Sequence, residues 1–389
     1  MKVLQVSNFF KPSFESGGVA RSVYNISKGL SKRGHDVTVY TTNYSLRDVG
    51  VETNKPVNLE GMCVYYFENL RKYFPVKTPP VPYYLPLIIR KEIKNFDIIH
   101  IHEHRTLLAA IVSYYARKNR IPYIIQSRGS VLPFYQKESL KKFYDYLMGN
   151  KILENASAVI ALTKVEAAQY EKMGINQDKI KVIPNFIDSC SCENIEKGKF
   201  RSKYGITDNE QIILYLGRLD KIKGIDLLVE AFGDLAKNLS NVKLVIVGPD
   251  DGYLSSMNQQ INQLGIQDKT IYTGPLYGSD KFEAYNDSDV YVLPSRYETF
   301  PNTVLEAVVC ETPVIVTERC GIADLVKDNM GLVIKWDKKS LKDGICSMIT
   351  DEKMRNEFAD KGKIFIRENL DSNIVAGKIE NLYKSIIKN

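Results

Sequence analysis

The chain has 389 residues, 44% of them hydrophobic and 25% charged, with a formal net charge of +7 and six cysteines. That length exceeds what one hydrophobic core usually holds, so two domains are expected, and the composition is that of an ordinary globular protein, not a disordered or disulfide-dense one. No uninterrupted apolar run reaches the ~18 residues of a membrane span, the first ten residues lack the long apolar core of a secretion signal, and Cys190 and Cys192 fit no zinc spacing, so a cytoplasmic chain with reduced thiols is expected.

Lys2–Val6 and Asp36–Thr41 are predicted strands around a helix near Ala20–Arg33, which Gly34 closes as a C-terminal cap. Gly17 and Gly18 precede that helix, where glycine lets backbone approach a ligand and helix-start amides address phosphate. They do not complete a GxGxxG fingerprint, so a dinucleotide site is not supported. Phe96–Ile101, Tyr123–Gln126 and Ala158–Ala161 read as further buried strands. From Ile212 the pattern restarts with the runs 213–217, 242–248, 270–274, 289–293 and 313–317, each separated by helical stretches. Repeated strand and helix alternation makes a parallel sheet the economical solution, twice over. The fold class is therefore α/β, with two Rossmann-like parallel-sheet domains. The expected division is 1–187 and 188–372, with the polar stretch Asp188–Lys199 as linker and an amphipathic final helix at Asn373–Lys388.

Charge divides unevenly along the chain. Residues 1–185 hold 27 Lys and Arg against 15 Asp and Glu, and the remainder holds 26 against 31. Within the basic half, Arg71–Lys94 mixes cations with Tyr73, Phe74, Tyr83 and Tyr84, and Gln136–Lys151 sets Lys137, Lys141, Lys142 and Lys151 around Phe143, Tyr144 and Tyr146. Basic and aromatic side chains together suit peripheral contact with an anionic membrane surface; a loop and a solvated helix face are the plainer alternative. No nucleic-acid-binding module accompanies the charge, so nucleic acid is not an expected partner.

The stretch Leu293–Val309, LPSRYETFPNTVLEAVV, joins the predicted strand to a helix with an apolar face of Val304, Leu305, Val308 and Val309, and Asn302 or Thr303 as the predicted N-cap. Ser295–Pro301 then lies at the strand's carboxyl end, where open α/β sheets take ligands. Unpaired amides near Asn302, Thr303 and Val304 attract phosphate. Glu306, about one turn inside, and Glu298, in the loop, each offer an acceptor-only carboxylate to a pair of hydroxyls. Phosphate between two polyols describes a nucleotide-sugar. Arg218 and Lys223, after the strand ending in Gly217, place two cations at the same sheet edge for a diphosphate. His100, His102 and His104 alternate along a predicted strand end without a zinc-like partner set. Asp287 and Asp289 precede their strand and so lie far from its carboxyl end, and no metal site is expected.

The Glu298 and Glu306 spacing within ETFPNTVLEA, with Arg218 and Lys223 upstream, resembles the signature of retaining glycosyltransferase family 4, the glycogen-synthase-like group with the GT-B fold. The resemblance spans most of the chain. It implies two domains facing across a cleft that closes over the donor, the first binding acceptor, the second binding donor, with the final helix crossing back onto the first. It implies that Glu306 holds the nucleotide ribose, that Glu298 contacts the transferred sugar, and that Arg218 and Lys223 stabilise the leaving diphosphate. Phe300, Pro301, Asn302, Thr303 and Val304 would meet sugar and diphosphate, with Gly17 and Gly18 closing over donor or acceptor. The group's site histidine falls where this chain has Arg128, which together with His102 is expected at the sugar or at a charged acceptor. The implied reaction moves a sugar to an acceptor hydroxyl with retention of configuration; the basic aromatic lobe alone suggests a saccharide or lipid-linked acceptor in cell-envelope, exopolysaccharide or lipid-linked glycan synthesis, and no cofactor or metal is expected. The alternatives are an epimerase or phosphorylase on the same fold, or a non-catalytic nucleotide-sugar-binding partner.

Overall fold

The computed structural model describes residues 1–14, 17–43, 50–70, 80–133 and 138–388. The chain forms two compact units, Met1–Asn185 together with Ser372–Asn389, and Phe186–Asp371.

The first unit is built on β1 (Lys2–Val6), β2 (Asp36–Thr42), β3 (Pro56–Leu59), β4 (Met62–Phe67), β5 (Ile98–His102), β6 (Tyr123–Gln126), β7 (Ala158–Ala161) and β8 (Ile180–Val182), in the order β3-β4-β2-β1-β5-β6-β7-β8. All neighbours run parallel except β3 and β4, an antiparallel hairpin turned at Glu60 and Gly61, both with positive φ (52° and 82°). That hairpin has no counterpart among the predicted strands: β3 is a half-exposed edge without an apolar run, whereas β4 is a buried apolar run that the sequence reading passed over. The central strand β5 is buried along its whole length, as expected for a parallel sheet covered on both faces. One such cover is the helix Gly18–Lys32. The C-terminal helix Ser372–Lys388 packs on it so closely that a Cβ on Gly29 would lie 3.1 Å from Ala376 Cβ. Gln5 Nε2 donates to the Tyr383 hydroxyl (3.1 Å) and Arg33 Nε to Glu380 (2.5 Å), tying the last helix to the first unit.

The second unit carries β9 (Gln211–Leu216), β10 (Val242–Val247), β11 (Thr270–Gly274), β12 (Val290–Leu293), β13 (Val314–Thr317) and β14 (Gly331–Ile334), all parallel in the order β11-β10-β9-β12-β13-β14. In both sheets the strand order reverses beside the first strand, at β1/β5 and at β9/β12. Connections leaving such a point run to opposite sides and open a crevice at the carboxyl ends.

The expectation of six reduced thiols fails for one pair. Cys192 and Cys310 form a disulfide with Cα atoms 5.4 Å apart, while Cys63, Cys190, Cys320 and Cys346 are free. Their separation of 118 residues carries no local spacing signal. Only the fold brings the segment after residue 188 against Cys310, which caps the helix Asn302–Val309.

Candidate functional site

At the β9/β12 reversal the chain leaves β12 at Pro294 and re-enters helix at Asn302. The intervening loop is fixed from several sides. Gly224 has φ 72°, and a Cβ there would lie 2.0 Å from the Pro294 carbonyl oxygen, so only glycine lets the β9 loop approach this closely. Arg296 N–H donates to the Ile222 carbonyl (2.8 Å), Thr317 Oγ1 to the Ser295 carbonyl (2.8 Å) and Gly321 N–H to the Glu298 carbonyl (2.8 Å). Trp336 Nε1 donates to the Pro294 carbonyl (3.1 Å), and the guanidinium groups of Arg296 and Arg319 lie over its ring, 4.8 and 4.5 Å from its centroid. A loop held at this many points presents its side chains with little reorganisation.

Lys223 and Glu298, 75 residues apart in sequence, form an ion pair with both side chains mostly buried. Glu306 is 5% exposed, accepts from Lys281 Nζ (2.7 Å) and from the Tyr285 hydroxyl (3.3 Å). Lys281 is itself 7% exposed. Sequence reasoning missed Lys281 and Tyr285. The signal was a lysine on the face of the helix Gly278–Asn286 that also carries Ala284 and Tyr285, four residues on, where an apolar residue would pack. Tyr291, inside β12, donates to the Leu216 carbonyl (3.1 Å) and shares a hydrogen bond with the Thr303 hydroxyl (2.8 Å), linking β9, β12 and the helix start. Arg218 stands just past β9, exposed and paired with Asp251.

The helix N-cap is Pro301, not Asn302 or Thr303, and no side chain caps it. Val304 N–H is taken up by the Pro301 carbonyl (3.2 Å), so of the three predicted phosphate donors this amide is already committed. Phe300 is buried at 7% exposure and packs the loop from below. Asp287 and Asp289 have structural roles. Asp287 accepts from Gly198 and Arg201 N–H (2.6 and 3.1 Å), and Asp289 from Ile212 N–H and Arg201 (2.8 and 3.2 Å).

In the first unit, Gly17 (φ 110°) and Gly18 start their helix with exposed backbone at the carboxyl end of β1. Beside them the sheet edge holds a buried polar network. Gln5 and His100 are partners across β1 and β5, as are His102 and Gln126 across β5 and β6. His100 Nδ1 bonds the Tyr383 hydroxyl (2.7 Å) and His102 Nε2 the Gln5 Oε1 (2.8 Å). Burial, with Arg128 adding repulsion, holds His100 down to about 3 and His102 well below the usual imidazole range. Arg128 completes the network by donating to His102 Nδ1 (3.1 Å), Asn185 Oδ1 (2.9 Å) and Gln126 Oε1 (2.9 Å). The fold thus brings Arg128 and His102 together. His104 parts from the other two, bonding Ser127 Oγ (2.9 Å) beyond the end of β5. Two concave surfaces, about 600 Å³ around Arg117, Tyr123 and Ile387 and about 590 Å³ around Asp226, Tyr253 and Gln260, hold none of these residues.

Tyr73, Phe74 and Lys137 of the basic aromatic segments lie outside the described residues. In the described part, Leu140 (61%), Phe143 (60%) and Tyr146 (79%) are exposed beside Lys141, Lys142 and Lys151. No helix among the described residues is long and apolar enough to cross a membrane.

The profile of Glycosyltransferase Family 4 matches residues 16–189 and that of Glycosyl transferases group 1 matches residues 196–365. An uncharacterized glycosyltransferase of Methanocaldococcus jannaschii is 26% identical, with 99% of this chain and 98% of that protein covered. The alpha-monoglucosyldiacylglycerol synthase of Streptococcus pneumoniae is 25% identical over 90% of this chain and 78% of its own length. Among solved structures, sucrose-phosphate synthase of Thermosynechococcus elongatus superimposes with TM-score 0.78 at 18% identity, all of both chains covered. Anabaena HepE in complex with UDP and glucose gives 0.76 at 19%, with 99% of this chain and 100% of that one covered. At these identities the superpositions show the fold, which is GT-B. With two adjoining family profiles across its two parallel-sheet units, the chain belongs to the family 4, group 1 glycosyltransferases and is a transferase enzyme.

Proposed function

We propose that this enzyme moves a sugar from a nucleotide-sugar to an acceptor hydroxyl with retention of anomeric configuration, the donor binding at the β9/β12 reversal. The observation that carries this reading is the pair of carboxylates, Glu298 mostly buried and Glu306 buried, fixed by Lys223 and Lys281 on either side of the helix start. Glu306 keeps unused lone pairs for the two ribose hydroxyls, and Glu298 for hydroxyls of the transferred sugar. The diphosphate falls between them, against the Asn302 and Thr303 end of the helix, with Arg218 and Lys223 as its counter-charges. As the glycosidic bond breaks, charge develops on the departing phosphate oxygen. Cations already in position lower that barrier, by about 2.7–4 kcal/mol for one preorganised group. The sugar, oxocarbenium-like, is attacked on the face the diphosphate leaves, which gives retention. Because side-chain cations and amides supply the electrostatics, turnover is expected to be indifferent to EDTA.

The solved HepE complexes hold UDP, glucose and UDP-glucose by their descriptions, so UDP-sugars are the first donors to try. Acceptor binding is assigned to the first unit, with Gly17, Gly18, His102 and Arg128 at its edge. The exposed Leu140, Phe143 and Tyr146 among Lys141, Lys142 and Lys151 suit an anionic membrane surface that presents a lipid-linked acceptor. Sedimentation with anionic and with neutral vesicles checks that contact; equal binding to both, or to neither, removes it.

The decisive test titrates nucleotide-sugars into the wild type and Glu306→Ala, with and without EDTA, and follows donor consumption and product anomer by NMR. One donor should bind, lose affinity at least tenfold in the variant, ignore EDTA and yield a product of unchanged anomeric configuration. Binding that survives Glu306→Ala unchanged would place the donor elsewhere, and an inverted product would reject retention.

A further inference from the structure

We infer that Arg128 is the receptor for an oxyanion, a phosphate or carboxylate carried by the acceptor, and that the acceptor class of this transferase is therefore acidic. The argument starts from how the guanidinium is held. Its three hydrogen bonds within the protein go to His102, Asn185 and Gln126, an imidazole and two amide oxygens, all neutral. That leaves one N–H on each terminal nitrogen without a described partner, a fork that suits two oxygens of one anion.

Other arginines of this chain are satisfied differently. Arg105 grips both oxygens of Asp145 (2.7 and 2.6 Å), Arg296 pairs with Asp226 (2.8 and 2.5 Å), and Arg201 with Asp289 (3.2 Å). Arg128 makes no ion pair with a described carboxylate. Two lie within electrostatic reach, and neither neutralises it by contact. Glu166 accepts from the backbone N–H groups of Gly129 (2.6 Å) and Leu162 (2.7 Å), which occupies both its oxygens. Glu103 accepts no hydrogen bond from a described residue, and burial raises its carboxyl to about 7, so it is partly neutral in the resting protein. The histidines on the other side, His100 and His102, are held neutral by burial. The net result is a half-buried cation whose direct hydrogen-bond partners are all neutral, at the carboxyl edge of β5 and β6.

Partly burying a charge without a carboxylate in contact is costly, and the backbone adds to that cost. Arg128 and Glu103 both have left-handed φ (52° and 66°), a conformation that non-glycine residues adopt only when their surroundings hold them there. An anion entering the fork relieves the charge and receives hydrogen bonds already aligned. A neutral acceptor would leave both N–H groups and the charge unmatched. Deepening the glycosyltransferase reading, this assigns the acceptor chemistry; the donor remains at Glu306.

The test is a calorimetric titration at constant ionic strength, with UDP saturating so that the donor's diphosphate site is filled. Glucose 6-phosphate, glucuronate and neutral glucose are the probes, on the wild type, Arg128→Gln and Arg128→Lys. Glucose 6-phosphate or glucuronate, but not glucose, should bind the wild type. Its dissociation constant should rise at least tenfold in Arg128→Gln, with partial recovery in Arg128→Lys, which keeps the charge but not the fork. Whichever acid binds identifies the anion as phosphate or carboxylate. Should Arg128→Gln not fold, Arg128→Lys and the wild-type preference over glucose decide by themselves. Acids that bind no better than glucose, or equally to wild type and variant, overturn the inference. The donor reading is scored separately by UDP affinity in the wild type and its loss in Glu306→Ala.

Discussion

At the carboxyl edge of the second sheet, Lys223 meets Glu298, Lys281 meets Glu306 and Arg218 meets Asp251. At the corresponding edge of the first sheet, Arg128 meets an imidazole and two amides, beside histidines that burial keeps uncharged. Both edges stand at a strand-order reversal and both are built on buried parallel strands, so topology does not explain the contrast. What differs is how charge is stored before a ligand arrives. Paired carboxylates and ammonium groups hold one another in place and still leave lone pairs for sugar hydroxyls. A guanidinium among neutral groups is left with its attraction for an anion intact.

The largest expected effect breaks the neutral side. Burial lowers His100 to about 3 from an ordinary value near 6.5, so the unfolded chain binds a proton that the folded one refuses. Stability from this group is complete above pH ~6.5 and is lost as pH falls toward ~3, on the order of 5 kcal/mol if the whole shift is expressed. Acid unfolding followed by circular dichroism should steepen across that window, and His100→Asn, which keeps a polar group beside Tyr383, should flatten it. A variant as acid-sensitive as the wild type would move the effect elsewhere.

Next comes the paired side. Glu306→Ala takes its carboxylate partner away from the buried Lys281, with an expected loss of about 3–5 kcal/mol in denaturant unfolding. Adding Lys281→Met should return much of that stability without returning donor affinity. If affinity came back as well, Glu306 would be a structural partner of Lys281 and nothing more. Lys223→Ala tests the same arrangement through rate. It should lower kcat by roughly 10²–10³-fold, equivalent to about 2.7–4 kcal/mol, with a much smaller change in donor affinity. Smallest is Asp251→Asn. Its pair with Arg218 is exposed, so stability should change by less than about 1 kcal/mol. A stability loss as large as that of Glu306→Ala would erase the distinction between buried and exposed pairs.

Much of the scaffold was readable from residue patterns. Lys2–Val6, Tyr123–Gln126, Ala158–Ala161 and the five apolar runs of the second half are strands within two residues at their ends, because parallel strands covered on both faces favour unbroken apolar stretches. The loop around Glu298 and the helix carrying Glu306 were legible for a related reason, a strand that stops at proline before an apolar helical face. The β3–β4 hairpin escaped, although β4 is an almost wholly buried apolar run and only β3 is a half-exposed edge, and so did the pairing of Cys192 with Cys310, which no local pattern records. Lys281 was invisible as a site residue because a lysine in a helix normally means solvent.

By itself the sequence determined two alternating α/β halves, the strand-to-helix junction with its two carboxylates, and the cations after β9, since each follows from periodicity and spacing within a few turns of chain. Tertiary structure alone decided which charge meets which. Lys223 and Glu298 are 75 residues apart, Lys281 and Glu306 are 25, and Arg128 and Asn185 are 57. Ion pairing and desolvation depend on distances of a few ångströms and on what excludes water, and in a parallel sheet those are set by strand order and register.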